Sequence, residues 1–239
     1  MSYKRLTPCI FIAGGKAVRW FDDRTVLTED VIALAKQYNA NGADELLVFD
    51  LSDSDEDHEE SIDLIKKINR IISIPMVAGG NIRRAEDVKK LLYAGVKRAM
   101  LNFSKKVSID LIKEVSLRFG KEKIAICTDS FAQLQANKAR VNEYTSRVIL
   151  LCDEVDVRTT ARLVEVPVLP VSTRADRHGL LKLLMLDNIC GVCGDTFSDL
   201  NEDLMAAKLE AKKHGVEINT FESKMSWNEL KLNSDGMIP

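Results

Sequence analysis

Short apolar runs rich in β-branched residues alternate along this chain with segments whose apolar positions repeat at helical spacing. The apolar runs predict strands over 6–13, 44–51, 74–80, 97–103, 123–129, 147–153, 166–172 and 188–195. Between them the pattern predicts a helix from Thr28 to Gly42, with Thr28 as N-cap and acids in its first turn. Further helices are predicted over 61–72, over 84–95 closed by Gly95, and over 108–120 closed by Gly120. Residues 131–144 carry a weaker helical pattern, 157–165 a short one, and 176–187 a clear one. The last helix is predicted over 198–215, ending in basic residues and Gly215.

Strands that alternate with helices make parallel βαβ units. Eight such units favour an α/β fold of the closed (β/α)8 TIM-barrel type, somewhat shortened in its second half. An open doubly wound sheet is the competing architecture. No glycine fingerprint of the GxGxxG type follows the first strand, so a dinucleotide site is disfavoured. The reading divides the chain into a barrel over 1–217 and a polar, turn-rich segment over 218–239.

Length and composition fit this picture. The chain has 239 residues, 46% of them hydrophobic, which suits one barrel domain with a real core. Formal net charge is -2, from 34 basic and 36 acidic residues. That balance offers no general attraction to nucleic acid or to an anionic membrane. No apolar run nears the ~20 residues of a spanning helix, and the N-terminus lacks a signal-peptide pattern. A cytoplasmic protein is expected, acting without a cofactor.

Several residues invite chemistry. Cys190 and Cys193 form a CxxC, but it falls in a predicted strand rather than at a helix start. No second pair and no histidine spacing accompanies it, so no metal site is expected and the cysteines read as structural. The acidic run 53–60 lacks the spacing of a calcium loop and reads as a solvated loop. Gly79 and Gly80 end the third strand and could let a backbone approach an anion closely, or simply make a tight turn.

Four segments carry a resemblance to a known family. KRLTPCIFIAGGKAVR, GADELLVFDL, IPMVAGGNI and IAICTD resemble the first, second, third and fifth strands of the histidine-biosynthesis barrels. These comprise the cyclase subunit of imidazole glycerol phosphate synthase and the related phosphoribosylformimino isomerase. The resemblance covers roughly residues 3–130 well and the second half weakly. A separate segment, SWNELKLNSDGMIP, resembles the start of phosphoribosyl-AMP cyclohydrolase. Together they imply a barrel fused ahead of a cyclohydrolase domain that this chain does not contain.

The resemblance implies an active site at the C-terminal ends of the strands, with one carboxylate after the first strand and one after the fifth. Asp129 matches the second and is the candidate catalytic residue. Phe11 occupies the first position, and phenylalanine cannot move a proton. Family chemistry is therefore expected to be lost, and Asp129 then reads better as a buried acid hydrogen-bonded across the barrel rim. The resemblance also implies a phosphate site at Gly79, Gly80 and Asn81, with Asn102 after the fourth strand and Ser104 in place of the family's hydroxyl residue. Asp50 and Arg19 match barrel-mouth positions. Ser172, Thr173 and Arg174 stand where a second phosphate site would lie, without its glycine pair.

A phosphorylated ribosyl molecule or phosphate, a fused cyclohydrolase domain and a further copy of the chain are the expected partners. The alternative is a working isomerase or cyclase on the phosphoribosyl aminoimidazole carboxamide intermediate, run by Asp129. A different phosphosugar enzyme on the same scaffold is a third option.

Overall fold

In the computed structural model, residues 3–151, 157–172, 177–194 and 203–220 are described. Cys152, Thr173, Arg174 and the segment 221–239 lie outside them. The first strand is split at Pro8 into β1 (Arg5–Leu6) and β2 (Cys9–Ala13). Two short strands follow, β3 (Lys16–Val18) and β4 (Val26–Thr28). The remaining barrel strands are β5 (Leu46–Asp50), β6 (Met76–Gly79), β7 (Arg98–Asn102), β8 (Ile124–Thr128), β9 (Arg147–Leu151), β10 (Val168–Ser172) and β11 (Gly191–Gly194).

Each of β5 to β11 pairs in parallel with the next. The ring closes through the first strand, which pairs with β11 through Arg5–Leu6 and with β5 through Cys9–Ile12. Proline has no N–H to give to a ladder. Around Pro8 the chain bonds both neighbours: the Leu6 carbonyl accepts from the Asp44 N–H, the Thr7 N–H donates to the Val192 carbonyl, and the Pro8 carbonyl accepts from the Leu47 N–H. The eight-stranded barrel expected from the sequence is the architecture found.

Alternation along the strands sorts the core into two layers, because successive side chains point to opposite faces. Cys9, Phe11, Leu47, Phe49, Val77, Met100, Ala125, Cys127, Ile149, Leu169, Val171 and Cys193 fill the barrel interior. Ile10, Val48, Ala78, Leu101, Ile126 and Val148 face the helices instead. Both faces are buried, which is why the strands read as continuous apolar runs.

The helices are α1 (Val31–Ala40), α2 (Asp55–Asn69), α3 (Ala85–Tyr93), α4 (Lys106–Phe119), α5 (Phe131–Ala136), α6 (Lys138–Tyr144), α7 (Val157–Leu163) and α8 (Arg177–Leu184). A final described helix spans Leu204–Lys213. The first four have 10, 15, 9 and 14 residues, the next four only 6, 7, 7 and 8, so the second half is built from shorter pieces.

Three expectations need correction. Thr28 is not the N-cap of α1; it ends β4, and Asp30 caps the helix by accepting from the Ala33 N–H. The acidic run 53–60 is not a loop. Ser54 caps α2 at its side chain, and Asp55, Glu56 and Asp57 occupy the first turn, where the helix dipole favours negative charge. The weak helix over 131–144 is two short helices that meet at Asn137.

Buried charges at the N-terminal end of the barrel are paired. Glu45 lies against Arg147, with the Arg98 guanidinium 3.8 Å away. Lys208 reaches Asp44 at 2.6 Å and ties the final described helix to the start of β5. Ile218 bridges to Lys4, so barrel contacts run one residue past the expected boundary.

Candidate functional site

Sites in such barrels form where the strands end and the βα loops begin. A cavity of about 440 Å³ opens there. Asp50, Gly80, Asn81, Asn102, Ser104 and Asp129 all line it. Six candidates from four separate places in the sequence thus meet at one cavity.

Gly79 and Gly80 are required by contact. A Cβ on Gly79 would sit 1.9 Å from the Met100 carbonyl oxygen, and one on Gly80 1.9 Å from that of Asp50. Gly80 and Asn81 both take positive φ, 125° and 49°. The Asn81 side-chain amide nitrogen is buried and has no hydrogen-bond partner. Across the cavity the Ser104 N–H donates to Asn102 Oδ1 at 3.0 Å, and Ser104 Oγ donates to Asp129 Oδ1 at 2.9 Å. Asp129 is exposed, so it spans the rim as expected but is not buried. α4 begins directly beyond, with Lys105 at its N-cap position and no side-chain cap. The Ser108 N–H already donates to the Lys105 carbonyl, so an anion would meet the N–H groups of Lys106 and Val107.

The Phe11 position is occupied by an aromatic cluster. Phe11 is 2% exposed. Its ring stacks on Phe49 at 4.8 Å and meets Trp20 and Phe21 edge-on at 4.7 and 4.8 Å. Trp20 and Phe21 arrive on the loop between β3 and β4, whose antiparallel pairing holds the hairpin over the barrel. The hairpin was not foreseen, because KAVRWFDDRTVLT has no clean alternation.

Asp50 does not offer a free carboxylate to the cavity. By strand alternation Phe49 points inward and Asp50 outward, toward α2. Its Oδ2 pairs with His58 Nδ1, and its Oδ1 accepts from the Ser52 N–H and hydroxyl. His58 is buried, and the hydrogen bond to Asp50 raises its pKa above the ordinary value. No sequence signal marked His58, since it sits inside the run read as loop.

Arg19 does not line the cavity; it is exposed and lies 3.6 Å from Asp23. Arg24 lines it instead, with its guanidinium donating to the Leu51 carbonyl at 3.2 Å. Lys105 is a second cation there that the sequence reading missed. Ser172 ends β10 but alternates away from the interior and is buried, outside the cavity lining. Thr173 is outside the described residues. Cys193 fills the barrel interior, while Cys190 is half-buried just before β11. Burial raises the pKa of Cys190 and of Cys127 above the thiol norm, which disfavours the reactive thiolate in both. Among the described residues, no cluster of His, Cys, Asp and Glu could hold a metal ion, and no helix is long and apolar enough to cross a membrane.

A family model described as "Histidine biosynthesis protein" matches residues 5–187, most of the chain. The chain belongs to the histidine biosynthesis protein family. Within that family it is similar to the imidazole glycerol phosphate synthase subunit HisF of Streptomyces coelicolor, 33% identical over 127 residues, or 53% of this chain and 51% of that protein. The Flavobacterium psychrophilum HisF is 34% identical over 131 residues, 54% of this chain and 52% of its own. The Pasteurella multocida HisF is 30% identical over 146 residues, 61% of this chain and 57% of its own. The chain spans about half the length of the curated relatives it matches.

Proposed function

We propose that this histidine biosynthesis barrel binds a phosphoribosyl ligand at its mouth without catalysing the cyclase or isomerase reaction of its relatives. The observation that carries this reading is the aromatic cluster at Phe11 beside an anion-suited arc of Gly80, Asn81, Asn102 and Ser104. Paired acid/base chemistry needs two groups that exchange protons, each contributing roughly 10²–10⁴-fold. Here Phe11 is packed between three rings, and Asp50 is engaged by His58 and Ser52. Asp129 therefore has no carboxylate at the Phe11 position to partner it. The binding arc, by contrast, keeps open donors: the Asn81 amide and the uncapped start of α4.

The similarity of residues 226–239 to the start of a cyclohydrolase supports a barrel that serves a fused catalytic domain. The relatives are named as synthase subunits, which supports docking to a protein partner as well.

The test is turnover by residues 1–239 with the aminoaldose and aminoketose forms of the phosphoribosyl carboxamide intermediate, the second with ammonium. The expected result is no turnover above a no-protein control, together with saturable binding that Asn81→Ala weakens. Turnover that Asp129→Asn abolishes would establish the active isomerase or cyclase reading instead.

A further inference from the structure

The N-terminal end of the barrel, opposite the mouth, carries charge that its own residues do not balance. Glu45, Arg98 and Arg147 stand two residues before the inward-facing Leu47, Met100 and Ile149, so by strand alternation all three point into the barrel. Side chains inside such a barrel lie in layers of four, drawn from alternate strands. Glu45 before β5, Arg98 on β7 and Arg147 on β9 make three members of the lowest layer. The fourth place, on β11, falls to Gly191, two residues before the inward-facing Cys193. A Cβ at Gly191 would lie 2.5 Å from the Arg5 carbonyl oxygen and 3.0 Å from the Arg5 Cβ. The layer is therefore one side chain short. Arg5 pairs with Gly191 in the ladder and borders that place.

Glu45 is one carboxylate for three guanidinium groups. Arg147 takes it as its ion-pair partner, and both are buried. Arg98 donates from Nε to Ser146 Oγ at 3.0 Å, but its Nη1 stays 3.8 Å from Glu45, beyond hydrogen-bond distance. The Arg5 guanidinium makes no hydrogen bond or ion pair with a described residue, although it lies within electrostatic reach of Arg98. The other acids nearby are engaged. Asp44, which Arg5 also feels, is held by Lys208 and the Leu6 N–H. Asp187 is exposed and faces Lys4. Cys190 lies within reach of Glu45 and all three arginines, and burial raises its pKa, which favours the neutral thiol. Two positive charges thus stay unbalanced in a partly buried place, where unpaired charge is costly.

We propose that the N-terminal opening of the barrel binds a small oxyanion of the phosphate or sulfate class, held by Arg5 and Arg98 where Gly191 leaves the layer one side chain short. A dianion matches the surplus of two charges. Its oxygens accept in several directions, which suits the forked donors of two guanidinium groups better than a halide does. The site is separate from the mouth and does not depend on what binds there.

The experiment is titration of the 239-residue chain, labelled with nitrogen-15 at arginine, with sodium sulfate and sodium phosphate. Sodium chloride at matched ionic strength is the control. Sulfate and phosphate are expected to shift the Arg98 Nε–H resonance saturably, and chloride is not. Calorimetry of the same titrations should show affinity at least about tenfold weaker in Arg5→Met, from the usual strength of a hydrogen bond to a charged group. Arg5→Met removes no hydrogen bond, so the variant should keep its fold, checked by circular dichroism. Asn81→Ala, at the mouth, should leave the Arg98 shift unchanged. Equal, unsaturated shifts with all three salts would overturn the proposal. So would saturable binding that Arg5→Met leaves intact. Binding that Asn81→Ala abolishes, with Arg98 unmoved in the wild type, would overturn this site and leave the reading of the mouth standing.

Discussion

Asp50 and His58 show how much one side chain's surroundings change its meaning. From the sequence Asp50 is a mouth acid; in the fold its carboxylate is turned to α2 and held by His58 and Ser52. The hydrogen bond to Asp50 raises the His58 pKa in the folded state. Its contribution to stability is therefore full below the unfolded pKa of about 6.5. It is lost as pH rises through the higher folded value. Asp87 on α3 and Glu59 on α2 also face His58 and push the same way. Urea midpoints measured from pH 6 to 9 should fall with pH, and His58→Gln should flatten that fall. Asn188 is a second residue the sequence did not flag. It takes φ of 59°, and its amide donates to the carbonyls of Ala161, Val164 and Val166. Asn188→Ala strands those acceptors and should cost about 2 kcal/mol in chemical denaturation.

Regular segments were legible wherever one period dominated. All eight barrel strands were read within a few residues, because burial on both faces leaves uninterrupted apolar runs. The start of α2 was not, because DSDEDHEE carries no apolar stripe; its helicity comes from the Ser54 cap and the dipole. Ser54→Ala should therefore destabilise by about 1 kcal/mol, read from the thermal midpoint. The β3–β4 hairpin escaped because its tip packs aromatics into the barrel instead of alternating. Gly80 was read as permissive, and the structure makes it obligatory: a Cβ meets the Asp50 carbonyl, and φ is 125°. Gly80→Ala should cost on the order of 3 kcal/mol and weaken phosphate binding, checked by denaturation and calorimetry.

The closed ring explains why six scattered candidates converge. Every strand ends at the same face, so residues at or just past the ends of β5, β6, β7 and β8 become neighbours whatever their separation in sequence. Convergence was legible once eight units were counted. Which way each side chain points was not, since strand alternation turns Asp50 and Ser172 outward and Phe49 inward. The opposite end of the barrel carries its own demand. Arg147 is 3% exposed against Glu45 at 1%. Arg147→Ala leaves Glu45 buried with weaker compensation and should cost about 3 kcal/mol, measured by equilibrium unfolding.

The split first strand has a kinetic consequence. Arg5–Leu6 can pair with Gly191–Val192 only after nearly the whole barrel chain has been threaded between them. Loop-closure entropy makes such distant contacts form late. Folding should then run through an open, curled sheet whose seam zips last. In the native ensemble that seam, held by a two-residue ladder, should reopen first. Amide exchange at Thr7 should outpace that at Leu47, although both donate to carbonyls 3.0 Å away.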